Sequence, residues 1–416
     1  MKLAAGHLTY CTNIHAGESW TDHFESLKEK FPLIKKEVSG AKAMGIGLRL
    51  SNKASIDLQD NVKMEEFQHW LKENDAYVFT MNGFPYGDFH NAVVKDRVHA
   101  PDWTSPERLE YTIRLFEILA KLLPEGMDGG VSTSPLTYRH WHPDKADSLH
   151  VLQKATENVI SILEKLFLFK KEQGLIMHLD IEPEPDGLLE TGREFIDWYR
   201  NTLIPAAQKE LSTKYNLSEN DALDAIREHI CLCYDVCHFA IGYEPHRKVL
   251  DELSLNKIRV GKIQISAALK SDLPPEPESR ELISAAFSNF NEPTYLHQVV
   301  ARKKNKELIR YRDLPDALVD IQNSQVEEWR AHFHVPVFLA DLGLLKSTQS
   351  DIIEVLGIQE SKPFTNHLEV ETYTWEVLPD TMKAPIDQSI SRELNWVKSA
   401  LEPGARNQES KHPQNA

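Results

Sequence analysis

The sequence predicts an α/β fold, a (β/α)8 barrel, on three observations. Strand-like runs alternate with amphipathic helical runs along most of the chain, the pattern of parallel βα units. Eight strands with seven intervening helical segments can be counted, which is what a barrel needs and favours it over a doubly wound open sheet. Several strands also separate an apolar face from a polar one that becomes ionisable toward the strand's end.

The first strand is expected at Leu8 to His15, followed by a helix from about Trp20 to Glu37. Met44 to Ser51 is the second strand, a helix covers about Val62 to Glu73, and Ala76 to Asn82 is the third strand. A long irregular stretch through Pro85, His99 and Pro101 ends at Ser105-Pro106. There Ser as N-cap and Pro at the first helical position start a helix to about Leu123. The fourth strand lies near Gly129 to Ser134, and a long helix covers about Ala146 to Gln173. The fifth strand is Leu175 to Glu182, with helices at Gly192 to Tyr215 and Ser218 to His229 behind it. Ile230 to Asp235 and Val260 to Ser266 are the sixth and seventh strands. An excursion with extended pieces at Tyr295 to Ala301, Leu308 to Tyr311 and Ala331 to Phe338 precedes the last strand, Asn366 to Tyr373. One domain over 1–402 follows, with long loop insertions after strands three and seven, and 403–416 as a polar disordered tail.

The face pattern carries the functional argument. In the fifth strand Leu175, Met177, Leu179 and Ile181 oppose Ile176, His178, Asp180 and Glu182. In the last, Leu368 and Val370 oppose His367, Glu369 and Glu371; in the seventh, Ile263 and Ile265 oppose Lys262, Gln264 and Ser266. Strand side chains alternate between faces, and parallel strands under helices have both faces covered. The apolar face therefore meets the helices and the polar face points into the barrel. Buried charges are costly unless paired, hydrogen-bonded or bound to metal, so the polar stripes need a reason.

Composition narrows the function classes. A formal net charge of −16 weighs against a nucleic-acid binder, which needs a basic face. The four cysteines form no spaced framework and the start is too soon polar for a signal peptide, so a reducing, cytoplasmic setting is expected. No apolar run approaches the roughly 18–20 residues of a membrane span, so no direct membrane insertion is expected.

Three strand ends carry hard ligands: Glu182, then Asp235 with His238 three residues later, then Glu371. If these strands share a barrel, the ligands converge at its C-terminal mouth, where barrel active sites lie. The plainer alternatives are an Asp235 that caps the next helix, a surface His238, and glutamates paired with an inward base such as Arg49 or Lys262. Gln264 sits where the seventh strand should offer a ligand, though an amide oxygen is a weaker one. His332 and His334 are two apart on one face of an extended segment, and either complete a site or form a solvated pair. Asn13, His15, Arg49, Asn82 and Lys95 are candidate hydroxyl or phosphate contacts. Cys231 and Cys233 read as packing residues beneath Asp235, and Cys237 as a thiol within solvent reach. The aromatics Trp20, Phe84, Tyr86, Trp103, Trp141 and Trp375 hint at a substrate larger than a simple sugar.

The Asp235-Val236-Cys237-His238 segment, running on to Ala240 and Gly242-Tyr243, resembles the D-T-C-H segment of endonuclease IV, in the xylose isomerase-like barrel superfamily. The resemblance implies that Glu182, Asp235 and Glu371 are metal ligands. It makes His238 the nearby imidazole that binds metal in the nuclease and meets substrate in the epimerases. His332 and His334 resemble the nuclease's D-x-H segment. The departures are Gln264 in place of a His, and Arg49, Ser51 and Asn82 where early His ligands would stand; one metal, or at most two, is implied. Along nearly the whole chain, Leu8 to Trp20 and His332 to Pro336 above all, the sequence is similar to the EboE family of metabolite-traffic proteins. That implies secondary-metabolite precursors as context and membrane proteins as partners.

The expectation is a divalent-metal-dependent protein (zinc, manganese, iron or magnesium) resembling sugar isomerases and epimerases, acting on a polyhydroxylated or carbonyl-bearing metabolite. Glu182, Glu371 and His238 are its catalytic candidates. Glu182, Asp235, Glu371, Gln264, His332 and His334 are its metal candidates, and Asn13, His15, Arg49, Asn82 and His238 its substrate contacts. A metabolite carrier without catalysis and an endonuclease IV-like phosphodiesterase are the alternatives.

Overall fold

Eight parallel strands turn the polar stripes inward. The computed structural model describes residues 1–87, 93–375, 377–379 and 382–401. Its barrel strands are β1 (Gly6–Tyr10), β2 (Met44–Arg49), β3 (Ala76–Asn82), β4 (Gly129–Thr133), β5 (Met177–Ile181), β6 (Ile230–Asp235), β7 (Val260–Ile265) and β8 (His367–Val370). Their hydrogen-bonded order is β1-β8-β7-β6-β5-β4-β3-β2. At the remaining seam, between β1 and β2, threonine side chains replace the backbone ladder. Thr9 Oγ1 donates to Gly45 O (2.8 Å) and accepts from Gly47 N (3.0 Å), while Thr12 Oγ1 accepts from Arg49 N (2.8 Å). A single parallel bridge, Cys11 to Gly47, completes a nearly closed barrel. The expected tail at 403–416 lies outside the described residues.

Helices cover the outside, and several are started by a capping side chain. Ser19, Asp60, Ser105, Asp144 and Ser218 cap helices Trp20–Val38, Asn61–Glu73, Pro106–Leu122, Lys145–Gln173 and Glu219–His229 through their side chains. Several strand expectations shorten, and two show why. The first strand stops at Tyr10 because Thr12 turns to Arg49 and the chain enters a 3-10 turn, Thr12–Ile14. The second stops at Arg49, freeing Ser51 to cap an unexpected helix, Asn52–Asp57. The helix expected from Gly192 to Tyr215 contains a π turn at Tyr199–Leu203, just before Pro205, whose missing N–H cannot continue the α ladder.

The excursion after β7 is a second sheet. Its six antiparallel strands run in the order Leu308–Tyr311, Val299–Lys303, Val326–Val335, Ala267–Asp272, Leu345–Ser347, Asp341–Leu342. The Val326–Val335 strand shifts register against Ala267–Asp272 between Ala331 and His334. Such a bulge re-aims side chains, and here it falls on the segment that carries His332 and His334.

Inside the barrel, missing β-carbons make room for charge. A Cβ at Gly47 would lie 1.9 Å from Glu369 Oε1, and one at Gly261 would lie 1.8 Å from Asp180 Oδ1. Glu369 pairs with Lys262 at 2.5 Å, both fully buried. Gly261→Ala is therefore expected to destabilise the protein by about 3 kcal/mol, at the upper end of overpacking costs. Urea unfolding checks this, and an unchanged midpoint contradicts it.

Candidate metal centre

The C-terminal ends of β5, β6, β7 and β8 deliver the acidic cluster to one place. Gln264 Nε2 lies at its middle and donates to Glu371 Oε2, to Glu182 Oε1 (3.3 Å) and to Asp235 Oδ2 (3.5 Å). Its Oε1 faces down to the Cys233 thiol at 2.6 Å. The structure turns the Gln264 amide nitrogen, rather than the expected ligand oxygen, toward the three carboxylates, where it holds them together. Asn13 and Asn82 each donate to Glu371 Oε1 at 2.8 Å. Asp235 does cap the helix Val236–Ile241, through His238 N (3.1 Å), and accepts from Ser266 Oγ (2.7 Å); capping and site membership coexist.

Neither base suggested as a structural partner reaches Glu182 or Glu371. Lys262 is committed to Glu369 beneath them, and Arg49 to Glu18 at 3.1 Å. The cavity of about 600 Å3 above the cluster, open mouth included, is lined by Asn13, Asn82, Glu182, His238, His332, His334 and Glu371, but by neither Arg49 nor His15. Arg49 is buried against Glu18 and the Gly87 carbonyl, and His15 Nε2 meets Tyr10 Oη at 3.0 Å, so the structure brings neither expected substrate contact to the cavity wall. Lys95 lines the wall but is paired with Asp313 at 2.7 Å. Cys237 is buried, not within solvent reach. Of the aromatics singled out, Phe84 lines the cavity, whereas Trp20 stacks on Phe24 at 5.0 Å in the helical shell.

Three imidazoles close the site. His238 Nδ1 faces the Pro183 carbonyl (3.1 Å), His332 Nδ1 faces Gln298 Oε1 (2.8 Å), and His334 Nδ1 faces the Glu371 carbonyl (2.9 Å). An Nδ1–H directed at an oxygen leaves Nε2 with a bare lone pair, the arrangement that orients a metal-bound histidine. His238 Nε2 and His332 Nε2 stand 3.1 Å apart, and His334 Nε2 is buried with no hydrogen-bond partner. Two lone pairs face to face need a cation or a proton between them. Suitable donor atoms of Asp235, His238 and His334 come within 4.8 Å of one another, as do those of Glu184, His238 and His332.

The electrostatics agree. Burial, then the charges of Asp235 and Glu369, push Glu371 up to about 8. Burial, then Glu371, Asp235 and Glu184, raise Glu182 well above the usual carboxylate range. Burial holds His238 down to about 3 and His334 to about 4. Carboxylates that repel one another beside imidazoles that refuse a proton form a donor set suited to a hard or borderline divalent cation.

One consequence can be measured without metal. Folded Glu371 keeps its proton to about pH 8, whereas the unfolded chain releases it near 4.5, so ionising it costs stability. Metal-free wild type is therefore expected to lose stability relative to Glu371→Gln as pH rises through that window, by roughly 1.4 kcal/mol per pH unit. Paired denaturation curves from pH 5 to 8 check this; parallel pH dependences contradict it.

Sequence reasoning missed Glu184, His99, Gln298, Tyr295 and Tyr373, which also line the cavity. Glu184 alone carried a signal, the Glu182-Pro183-Glu184-Pro185 alternation, whose stiff backbone keeps both glutamates at the rim. Its partner His99 lies 3.0 Å away, in the stretch expected to be a loop.

No family model matches the chain, and no curated protein does. Among solved structures the chain is similar to a crystal structure of the IolI protein with a binding zinc atom. Identity is 13%, the TM-score is 0.46, and the match covers 95% of this chain and 97% of that one. It is also similar to the crystal structure of SacUVDE, at 11% identity and a TM-score of 0.40, over 94% of this chain and 97% of that one.

Proposed function

We propose that the chain is a divalent-metal-dependent barrel enzyme of the xylose isomerase-like kind that moves a proton on a small polyhydroxylated or carbonyl-bearing molecule. The observation that carries this is the set of three imidazoles, each with Nδ1 facing an oxygen, gathered over Glu182, Asp235 and Glu371. Those carboxylates, with His238, His332 and His334, would hold the ion. A bound divalent ion supplies Lewis acidity, lowering the pKa of a C–H or O–H beside a substrate carbonyl.

The residues divide the remaining work. Glu371 is fixed by Asn13, Asn82 and Gln264, so its carboxylate plane is set before substrate arrives. Glu182 keeps Oε2 unpartnered at the cavity, free to take or return a proton. His238 lines the same wall, with Nε2 its one bare nitrogen and that nitrogen given to the ion. Phe84, Tyr295 and Tyr373 present apolar surface, which favours a ligand with a hydrophobic portion.

The likeness to the EboE proteins gives the setting: secondary-metabolite precursor traffic in the cytoplasm beside membrane partners. Among the described residues no helix is long and apolar enough to cross a membrane. The phosphodiesterase alternative has less support, because Lys95 is the cavity's one lysine or arginine among the described residues and is already paired. Metal-dependent exchange of solvent deuterium into a sugar or keto acid tests the proposal. Exchange that stops on chelation is expected; none across a broad panel, with tight ligand binding retained, would leave a carrier.

A further inference from the structure

A second His/Asp cluster sits at the other end of the barrel. Asp128 immediately precedes β4, His178 is the second residue of β5, and His367 is the first of β8, so all three lie at the N-terminal ends of the strands. Asp128 Oδ1 is 3.4 Å from His367 Nε2, and Asp128 Oδ2 is 3.7 Å from His178 Nε2. Donor atoms bound at ~2.0–2.1 Å to a tetrahedral zinc lie about 3.3–3.4 Å apart, so the spacing is close to that of a bound ion. The two imidazoles are tilted, with ring centroids 5.0 Å apart.

Unmet polar atoms mark the same spot. His178 Nε2 and both ring nitrogens of His367 are buried with no hydrogen-bond partner, in side chains no more than 1% exposed. His178 Nδ1 meets Asp180 Oδ1 at 2.6 Å, the carboxylate–histidine arrangement that orients a metal-bound imidazole. A proton on His178 accounts for Asp180, and an Nε2–H on His367 turned to Asp128 would account for that nitrogen, but His367 Nδ1 keeps no partner. Gly130 and Gly261 clear the space: a Cβ at Gly130 would come within 2.5 Å of His178 Cε1, and one at Gly261 within 1.8 Å of Asp180 Oδ1. Arg259 Nη2 approaches Asp128 Oδ2 at 3.4 Å from the rim and competes for that oxygen. Asp128 is 21% exposed, which gives an ion a way in and a position for solvent.

We propose that Asp128, His178 and His367 form a second divalent-metal site, of zinc type and structural in role, that ties β4, β5 and β8 together at the floor of the barrel. It is independent of the mouth: its ligands, the Asp180 carboxylate that orients His178 and its access are separate from those of Glu182, Asp235 and Glu371.

Equilibrium dialysis of the intact metal-free protein with Zn(II), and titration with Co(II) as a spectroscopic probe, test it. One equivalent is expected to survive Asp235→Asn/His334→Ala and to show four-coordinate Co(II) ligand-field bands. His367→Gln should remove that equivalent or weaken it by at least ~10-fold, with circular dichroism reporting the fold. Asp128→Asn, at a partly exposed position, provides the same readout if His367→Gln does not fold. Zinc binding unchanged by both floor substitutions overturns the proposal, as does a mouth variant that binds none. A failure of the mouth reading looks different: one equivalent in wild type, lost with His367→Gln and indifferent to Asp235→Asn.

Discussion

Lys262→Met is expected to destabilise the protein by about 3–5 kcal/mol, the largest single-site effect in the barrel interior. Lys262 and Glu369 are both fully buried and 2.5 Å apart. Removing the ammonium leaves a carboxylate uncompensated in a low dielectric, which costs far more than the pair contributes when whole. The neighbourhood cannot absorb that charge, because Glu371 and Asp180 are also acidic and Gly47 leaves no slack around Glu369 Oε1. Lys262→Met/Glu369→Leu should recover most of the loss, since an apolar pair of similar volume is often tolerated in place of a buried ion pair. Chemical denaturation of both variants decides this: equal losses would show that shape, not charge, sets the cost.

The second large effect is chemical. Glu182→Gln should lower the rate of metal-dependent deuterium exchange by about 10²–10⁴-fold, the range for removing a positioned general base. Metal content should change little, because Gln can still offer an oxygen. Glu371→Gln should lower the rate as well, and also weaken metal retention, because the carboxylate oriented by Asn13, Asn82 and Gln264 loses its charge. Exchange rates in both variants that match wild type would remove the glutamates from the mechanism.

Much of this was legible in the sequence because strand periodicity is a local property. The alternation in Met177–Ile181 and His367–Val370 placed His178, Asp180, His367 and Glu369 inside the barrel, where the structure has them. Position along the strand was legible too, bringing Glu182, Asp235 and Glu371 to one end. Contacts that depend on how distant loops meet were not. Arg49 looked available until Glu18 reached it from the preceding loop. Gln264 was read by its position, but its orientation is set by four neighbours on other strands. The excursion after β7 showed extended pieces, yet sequence could not tell that Ala267–Asp272 joins them in a sheet, or that a register shift turns His332 and His334 toward the mouth. The floor cluster went unseen as a unit because Asp128 lies just outside its strand.

The most direct test is the metal content of the protein at its mouth, measured by elemental analysis of wild type beside Glu182→Ala/Glu371→Ala and Asp235→Asn/His334→Ala. Wild type is expected to carry one more equivalent of divalent metal than either variant and to recover it on titration after chelation. Wild type and both variants with the same metal content, before and after titration, would contradict it.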